Sequence, residues 1–452
     1  MLDLAMTPDT SPSIAPTRED LLRARDRLRV ARTRASKRWV KLAWLLAGPG
    51  VLVMLGENDG PSMVSYATTG ASYGVGFFAP FIVLTFVMAY VVQEMTVRLA
   101  MATHRGHAEL IFQRLGPFWG YFAMADLVFG NLLTMVTEFI AIQAGGLYFG
   151  VPAAVSVGIG FIVVVASLAL QRYALWERTL MTLAVFNLLF VPAALLSHPD
   201  GAALARALGT WRPLPEAMGA AFFTLILANV GATVTPWMIF FQQSSAVDKG
   251  LTRADLAQGR FDTAAGAILA TIAAIATLVA AAPLFAAHVD VSQFASGADF
   301  ASALKPLIGT TGATLFALGI IEAGLLAAMT ISTSSSYALA EVFSTAHSLN
   351  LDFRSGKLFF GVAIGTAAIA GAIVLIPGAP LLALTLTVNV IATMLMAPAL
   401  LLLLVLANDR EIMGGLANGR LANIAGGTIV VLIAAIGAAY GVITAFPGLI
   451  GK

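Results

Sequence analysis

The chain contains no cysteine, which excludes disulfides, thiolate metal sites and a nucleophilic thiol. Charge is scarce: 11% of the 452 residues are Asp, Glu, Lys or Arg, against about a quarter in an ordinary soluble domain. The net charge of +2 is too small to identify a partner. The five histidines, at positions 104, 107, 198, 288 and 347, fall in segments read as loops. No apolar segment therefore carries the HExxH pattern, or a comparable His/Asp set, that an intramembrane metalloprotease needs. The opening MLDLAMTPDT lacks the basic-then-apolar pattern of a signal peptide.

Apolar residues are abundant, at 59% of the chain, and the mean hydropathy is +0.87. One core cannot hide that much apolar surface from water. Repeated apolar runs of about twenty residues read as transmembrane helices. Residues 1–41 form a polar, basic tail, with a capping box expected from Thr17 and Asp20 ahead of a basic helix. The tail reads as a cytosolic segment that sets orientation, or as an arm held to anionic headgroups by its arginines.

Eleven spans are expected. They start near Leu42 (to 72), Phe77 (to 101), Phe118 (to 149), Val151 (to 171), Leu175 (to 197) and Ala217 (to 247), then Thr263 (to 287), Thr310 (to 343), Leu358 (to 377), Leu381 (to 407) and Ile424 (to 446). With the N-terminus inside, only Arg206, Arg212, Lys305 and Lys452 of the 26 basic residues fall outside. That bias is the positive-inside pattern. It places the N-terminus in the cytosol and the C-terminus outside, in the inner membrane of a bacterium.

Two spans carry breaks. GENDGPS, residues 56–62, puts Glu57, Asn58 and Asp59 beside Gly60 and Pro61; NVGATVTPWM, residues 229–238, has Gly231 and Pro236 at its middle. Broken helices survive in lipid only where protein or a wet cavity surrounds them. Their matching positions, first and sixth, fit an all-α membrane protein of two five-helix repeats plus one extra helix. The expected parts are repeat one at about 42–197, repeat two at about 215–407 and the extra helix at about 421–446. Paired broken helices point to a secondary transporter's midplane site. Glu57 and Asp59, with no Lys or Arg in the apolar part of any span to neutralise them, call for a cation from outside the chain. Asn58, Ser62, Thr233 and Thr235 offer neutral oxygens. Oxygen-only ligation suits Mg²⁺, Ca²⁺ or Mn²⁺. Asp59 as a plain helix cap is the competing reading.

These residues resemble the Nramp family of divalent-metal transporters. GPGVLVMLGENDGP follows the family's GPG, eight residues, then DPGN; GATVTPWMIFFQQSS resembles GATVMPHNLYLHSS. The likeness extends to LLALTLTVNVIATMLMAP in span 10. It implies an inverted-repeat fold of the leucine-transporter type, with metal bound at the breaks of helices 1 and 6. Asp59 falls on the metal-binding aspartate, Ser62 on the ligand asparagine (with Asn58 as a substitute from the other side), and Gly56 on a ligand carbonyl. Ala232 falls on the second ligand carbonyl and Thr235 on the ligand methionine. Trp237 and Gln242 stand where the family has histidines, and Gly60-Pro61 reverses the family's Pro-Gly order.

A thioether favours soft ions, so losing it while gaining Glu57 hardens the site toward Mg²⁺. This pattern resembles the family's divergent magnesium-transporting branch, with Mn²⁺ as a further substrate. Met54, Met63 and Met238 lie close by and read as packing. In LLTMVTEF of span 3, Met135 takes the family's first acidic position and Glu138 is kept. With both histidines gone, proton coupling is expected to be weak or absent. Glu138 with Asp126 also reads as a buried polar pair. Glu322 in span 8 and Asn389 in span 10 are pathway candidates or interhelical bonds, Trp237 is a wall or gate, and Glu94–Arg98 is a surface ion pair.

The expected activity is alternating-access transport of Mg²⁺ or Mn²⁺, with no enzymatic role and no cofactor. The expected partners are the metal ion and the bilayer, without nucleic acid or an obligate protein. Proton-coupled Mn²⁺/Fe²⁺ transport, an amino-acid carrier of the same fold and a channel are the alternatives.

Overall fold

The computed structural model describes residues 18–215, 219–378 and 380–445. The expected Thr17–Asp20 box, the Ala217 start of span 6 and Lys452 lie outside them. The described residues are helical, with no strand among them. In chain order the helices are α1 (Arg18–Ala35), α2 (Trp39–Leu46), α3 (Pro49–Glu57), α4 (Gly60–Tyr73), α5 (Phe78–Thr103), α6 (His107–Leu115), α7 (Pro117–Tyr148), α8 (Ala153–Leu168), α9 (Tyr173–Ala184) and α10 (Phe190–Leu196). There follow α11 (Gly201–Thr210), α12 (Ala220–Gly231), α13 (Pro236–Lys249), α14 (Leu256–Ala286), α15 (Gly297–Val342), α16 (Lys357–Val374), α17 (Leu381–Asn408), α18 (Arg410–Met413) and α19 (Arg420–Ala445).

Among the described residues, nine helical stretches are long and apolar enough to cross a membrane. Helix α8 is apolar but shorter, and α3 and α4 are each too short alone. Counting α8 as one crossing and the α3–α4 pair as another is what the expectation of eleven requires.

The packing is symmetric under exchange of the first five crossings with the second five. Broken α3–α4 packs on α14, and broken α12–α13 packs on α5. Helix α7 runs along α15 and α8 against α16; α10 packs on α15 as α17 packs on α7. Each relation maps onto its partner when the halves trade places. Five crossings is an odd number, so the second half enters from the opposite side. This is the leucine-transporter-type inverted repeat.

Three expectations are corrected. The helix expected to run from Leu42 is interrupted. Residues 39–46 form the separate helix α2, and α3 starts at Pro49, where Asp262 of α14 accepts from the Gly48 and Gly50 amides at 3.0 and 2.7 Å. A proline in the first turn and a carboxylate on otherwise orphaned N–H groups make a helix start. Gly50 is required there, because a Cβ would come within 2.5 Å of the Thr263 backbone nitrogen.

The Glu94–Arg98 pair exists, at 3.0 Å, but it is not on the surface. Arg98 is buried and also holds Leu416 O (2.8 Å) and Asn418 (2.9 Å). Finally, His107 is not a loop residue. It opens α6, fully buried, its Nδ1 2.7 Å from Gln243 Oε1.

The basic segments expected inside meet at one end of the bundle. Arg34 pairs with Asp255 at 2.5 Å, Lys249 with Glu177 at 2.8 Å, and Arg260 with Glu94 at 2.7 Å.

Candidate metal site at the helix breaks

Both breaks follow from their sequences. Asn58 and Asp59 leave helical geometry, and Asp59 restarts the chain as the N-cap of α4, its Oδ1 accepting from Ser62 N at 2.8 Å. The capping role weighed for Asp59 is therefore present. Gly60 leaves room for Ala141 Cβ on α7, which a side chain at position 60 would overlap. In the second break, Thr235 is extended and precedes Pro236 at the start of α13, and its side chain makes no cap bond. Thr235 Oγ1 instead donates to Glu57 Oε2 at 2.7 Å. A carboxylate thus sits by the N-terminus of a half-helix, where the peptide dipoles favour negative charge.

Glu138 reaches across from α7, its Oε2 accepting from Gly60 N at 3.0 Å. Glu57, Asp59 and Glu138 lie within electrostatic reach of one another, and all three are buried. Four oxygens around this break have no protein partner: Glu57 Oε1, Glu138 Oε1, Ser62 Oγ and Asn58 Oδ1. An unmade hydrogen bond on a buried polar atom costs on the order of 1–3 kcal/mol, and more on a charged one. Among the described residues, no three acidic or histidine side chains converge as a ready-made ligand cluster.

The other expected residues are dispersed in instructive ways. Asn58 turns its amide away from Asp59, donating to Asn187 Oδ1 (3.1 Å) and Ala270 O (2.8 Å). Asn187 in turn donates to Asn58 O (3.1 Å) and Glu322 Oε2 (3.3 Å). Glu322 thus belongs to a second buried polar group, on α15, with its Oε1 unpartnered. The Ala232 carbonyl already accepts from Tyr66 OH at 2.7 Å, leaving one lone pair. Gly56 lies in the last turn of α3, where carbonyls lack intrahelical partners; a Cβ there would meet Thr330 Oγ1 at 3.2 Å and the Trp237 ring at 3.3 Å. Trp237 is fully buried, edge-on to Phe241. It forms a wall beside Gly56.

Asn389 donates to Ser65 Oγ at 2.9 Å, one turn along α4 from the break. Gln242 bonds to Thr263 (2.8 Å), and Met63 sulfur accepts from Thr277 at 3.1 Å, which is packing. Asp126 is partly exposed, more than three turns from Glu138 along α7; Glu138's bond goes to Gly60 instead.

Asn187 and Tyr66 were not singled out from sequence. Asn187 had a usable signal, as the single amide in the apolar run LAVFNLLFVP. Tyr66 had none beyond one hydroxyl on an apolar ring.

The model of the family described as natural resistance-associated macrophage protein-like matches residues 50–443. The divalent metal cation transporter MntH of Pectobacterium carotovorum is 26% identical over 412 residues, covering 89% of this chain and 94% of that one. The crystal structure of the Eremococcus coleocola manganese transporter superposes with a TM-score of 0.72 at 20% identity, covering 92% of this chain and 90% of that one. MhsT, solved in complex with L-phenylalanine, shares the fold more distantly, with a TM-score of 0.59 at 12% identity over 87% of this chain and 97% of that one.

Proposed function

The chain belongs to the Nramp family, and from that premise we propose that it carries divalent cations, Mg²⁺ first and Mn²⁺ second, by alternating access at the breaks of α3–α4 and α12–α13. The observation that carries the reading is the set of partnerless buried oxygens on Glu57, Ser62 and Glu138 around Asp59. Burying carboxylates without a counter-charge is costly. A doubly charged cargo supplies that counter-charge, and is released when the protein reopens. In this reading Asp59, Glu57, Ser62 and Glu138 face the ion, directly or through water, with Thr235 and the Gly56 and Ala232 carbonyls completing the oxygen lining.

Mg²⁺ is favoured over softer ions because the set is all oxygen. Thr235 holds the place from which a sulfur would act, and Met63 sulfur is already engaged by Thr277. Proton coupling is weak or absent in the same proposal. The described spans hold no histidine, and buried His107 lies outside them on α6. The N-terminus lies in the cytosol of a bacterial cell, supported by the basic segments that meet at one end. The amino-acid alternative is disfavoured by Glu57, which already stands at the α13 N-terminus where a substrate carboxylate would dock. The role is one of transport, without an enzymatic step.

Proteoliposome flux tests this reading. Mg²⁺ and Mn²⁺ should enter, Asp59→Ala should abolish entry, and amino acids should not be taken up. Amino-acid uptake without metal uptake would overturn it.

A further inference from the structure

A cavity of about 380 Å³ lies beneath α1, between it and the ends of α9 and α13. Its lining is strongly charged, and the two signs are not equivalent. The acids are engaged. Glu177 holds Lys249 Nζ at 2.8 Å and Tyr173 OH at 3.0 Å. Asp248 accepts from Ser348 Oγ (2.6 Å), Tyr337 OH (2.7 Å) and Leu349 N (2.9 Å). Asp255 holds Arg34 at 2.5 Å and the Thr252 amide at 3.0 Å. Asp26 approaches Arg172 only to 3.7 Å.

The arginines are underused. Arg178 donates through Nη2 to Leu45 O at 3.1 Å, pairs loosely with Glu177 Oε2 at 3.6 Å and lies over the Trp44 ring at 5.0 Å, but its Nη1 is buried without an acceptor. Arg172 Nε is likewise buried without an acceptor. Arg27 and Arg29 line the same cavity from α1. A guanidinium is always charged and only donates, so a buried unmet N–H on it is costly. The matching guest is an anion. A carboxylate brings one charge and is satisfied by one arginine fork. A phosphate monoester brings nearly two charges and three strong acceptor oxygens, which suits guanidinium groups contributed from two separate elements. The volume leaves room for more than the phosphate itself.

We propose that this cavity binds the phosphate group of a phosphorylated ligand at the inner face, separately from the metal path. Terminal phosphates of solutes and the monoester headgroup of phosphatidic acid share that chemistry, and the experiment distinguishes them. The full chain, in detergent with chelator present, is titrated with ADP by calorimetry. In parallel it is placed in nanodiscs of phosphatidylcholine with or without phosphatidic acid, and retained lipid is read by native mass spectrometry. Saturable binding of one ligand per chain is expected in one arm, and that arm identifies the source. Arg172→Gln and Arg178→Gln should each weaken it about tenfold or more, the cost of one charged hydrogen bond. Arg29→Gln, on exposed α1, should weaken it several-fold with the melting temperature unchanged, and it decides the matter if the other two do not fold. Absence of saturable binding in both arms, or binding equal to wild type in every arginine variant that folds, overturns the proposal.

Discussion

Glu57 and Thr235 join the two helix breaks: Thr235 Oγ1, at the head of α13, donates to Glu57 Oε2, at the tail of α3, at 2.7 Å. One residue therefore reports on both halves of the inverted repeat. Its second oxygen, Oε1, is buried and partnerless. The chain's own hydroxyl orients the carboxylate, and in the proposed site the free oxygen is the one that faces the ion.

Removing that charge while keeping the shape should separate function from folding. Glu57→Gln should lower Mg²⁺ flux at least about tenfold, the loss of one charge-assisted contact. Its melting temperature should equal or exceed that of wild type, since a buried charge is costly to hold. The check is flux and thermal melting on the same preparation. Full flux in Glu57→Gln would remove the residue from the ion's surroundings.

Softness can be dialled at position 235. Thr235→Met introduces a thioether beside Glu57 and should raise Cd²⁺ and Mn²⁺ binding relative to Mg²⁺. Competition binding with the three ions measures the ranking. An unchanged ranking would place Thr235 away from the ion.

Two backbone devices, one at the first break and one at the start of α3, each predict a stability loss without chemistry. Gly60→Val forces side-chain atoms onto Ala141 and Glu138 and should cost about 1–3 kcal/mol through overpacking. Asp262→Ala leaves the Gly48 and Gly50 amides without their acceptor and should cost about 1–2 kcal/mol, as for a lost helix cap. Thermal unfolding in detergent with and without Mg²⁺ reads both effects.

The buried imidazole of His107, on α6 outside the spans, sets an acid limit. Burial pushes it from its ordinary 6.5 down to about 4, against a smaller opposing contribution from Gln243. A group whose folded pKa is depressed binds a proton more readily when unfolded. Its contribution is fully present above about pH 6.5 and is lost as pH falls toward 4. His107→Gln should flatten the decline of melting temperature across that window. An unchanged slope would assign the acid sensitivity to other groups.

Much of the fold was legible because the bilayer imposes simple rules. Apolar length marked the long helices. Gly60-Pro61 and Gly231 with Pro236 located both breaks. The interruption after α2 was not legible because α2 is itself apolar, and only the three-dimensional contact of Asp262 with the Gly48 and Gly50 amides shows where α3 starts. In the candidate site, Glu57 and Asp59 are legible as charges that are expensive in lipid, Thr235 as a neutral oxygen beside the second break, and Glu138 through the family resemblance of span 3. The direction in which Asn58 points was not legible, since it depends on Asn187, 129 residues away in sequence. Nor was the hold of Tyr66 on Ala232, a bond between two residues with no pattern linking them. Glu94–Arg98 was found by its spacing, but spacing carries no information on burial.

Transport of a divalent ion at the helix breaks is tested by flux through wild type and Asp59→Asn in proteoliposomes, with a panel of Mg²⁺, Mn²⁺, Ca²⁺ and Cd²⁺ outside and a pH dye inside. The expected result is Mg²⁺ entry at least equal to Mn²⁺ entry, no acidification, and loss of both fluxes in the variant. Entry of Mn²⁺ or Cd²⁺ with Mg²⁺ excluded, accompanied by internal acidification, would contradict it.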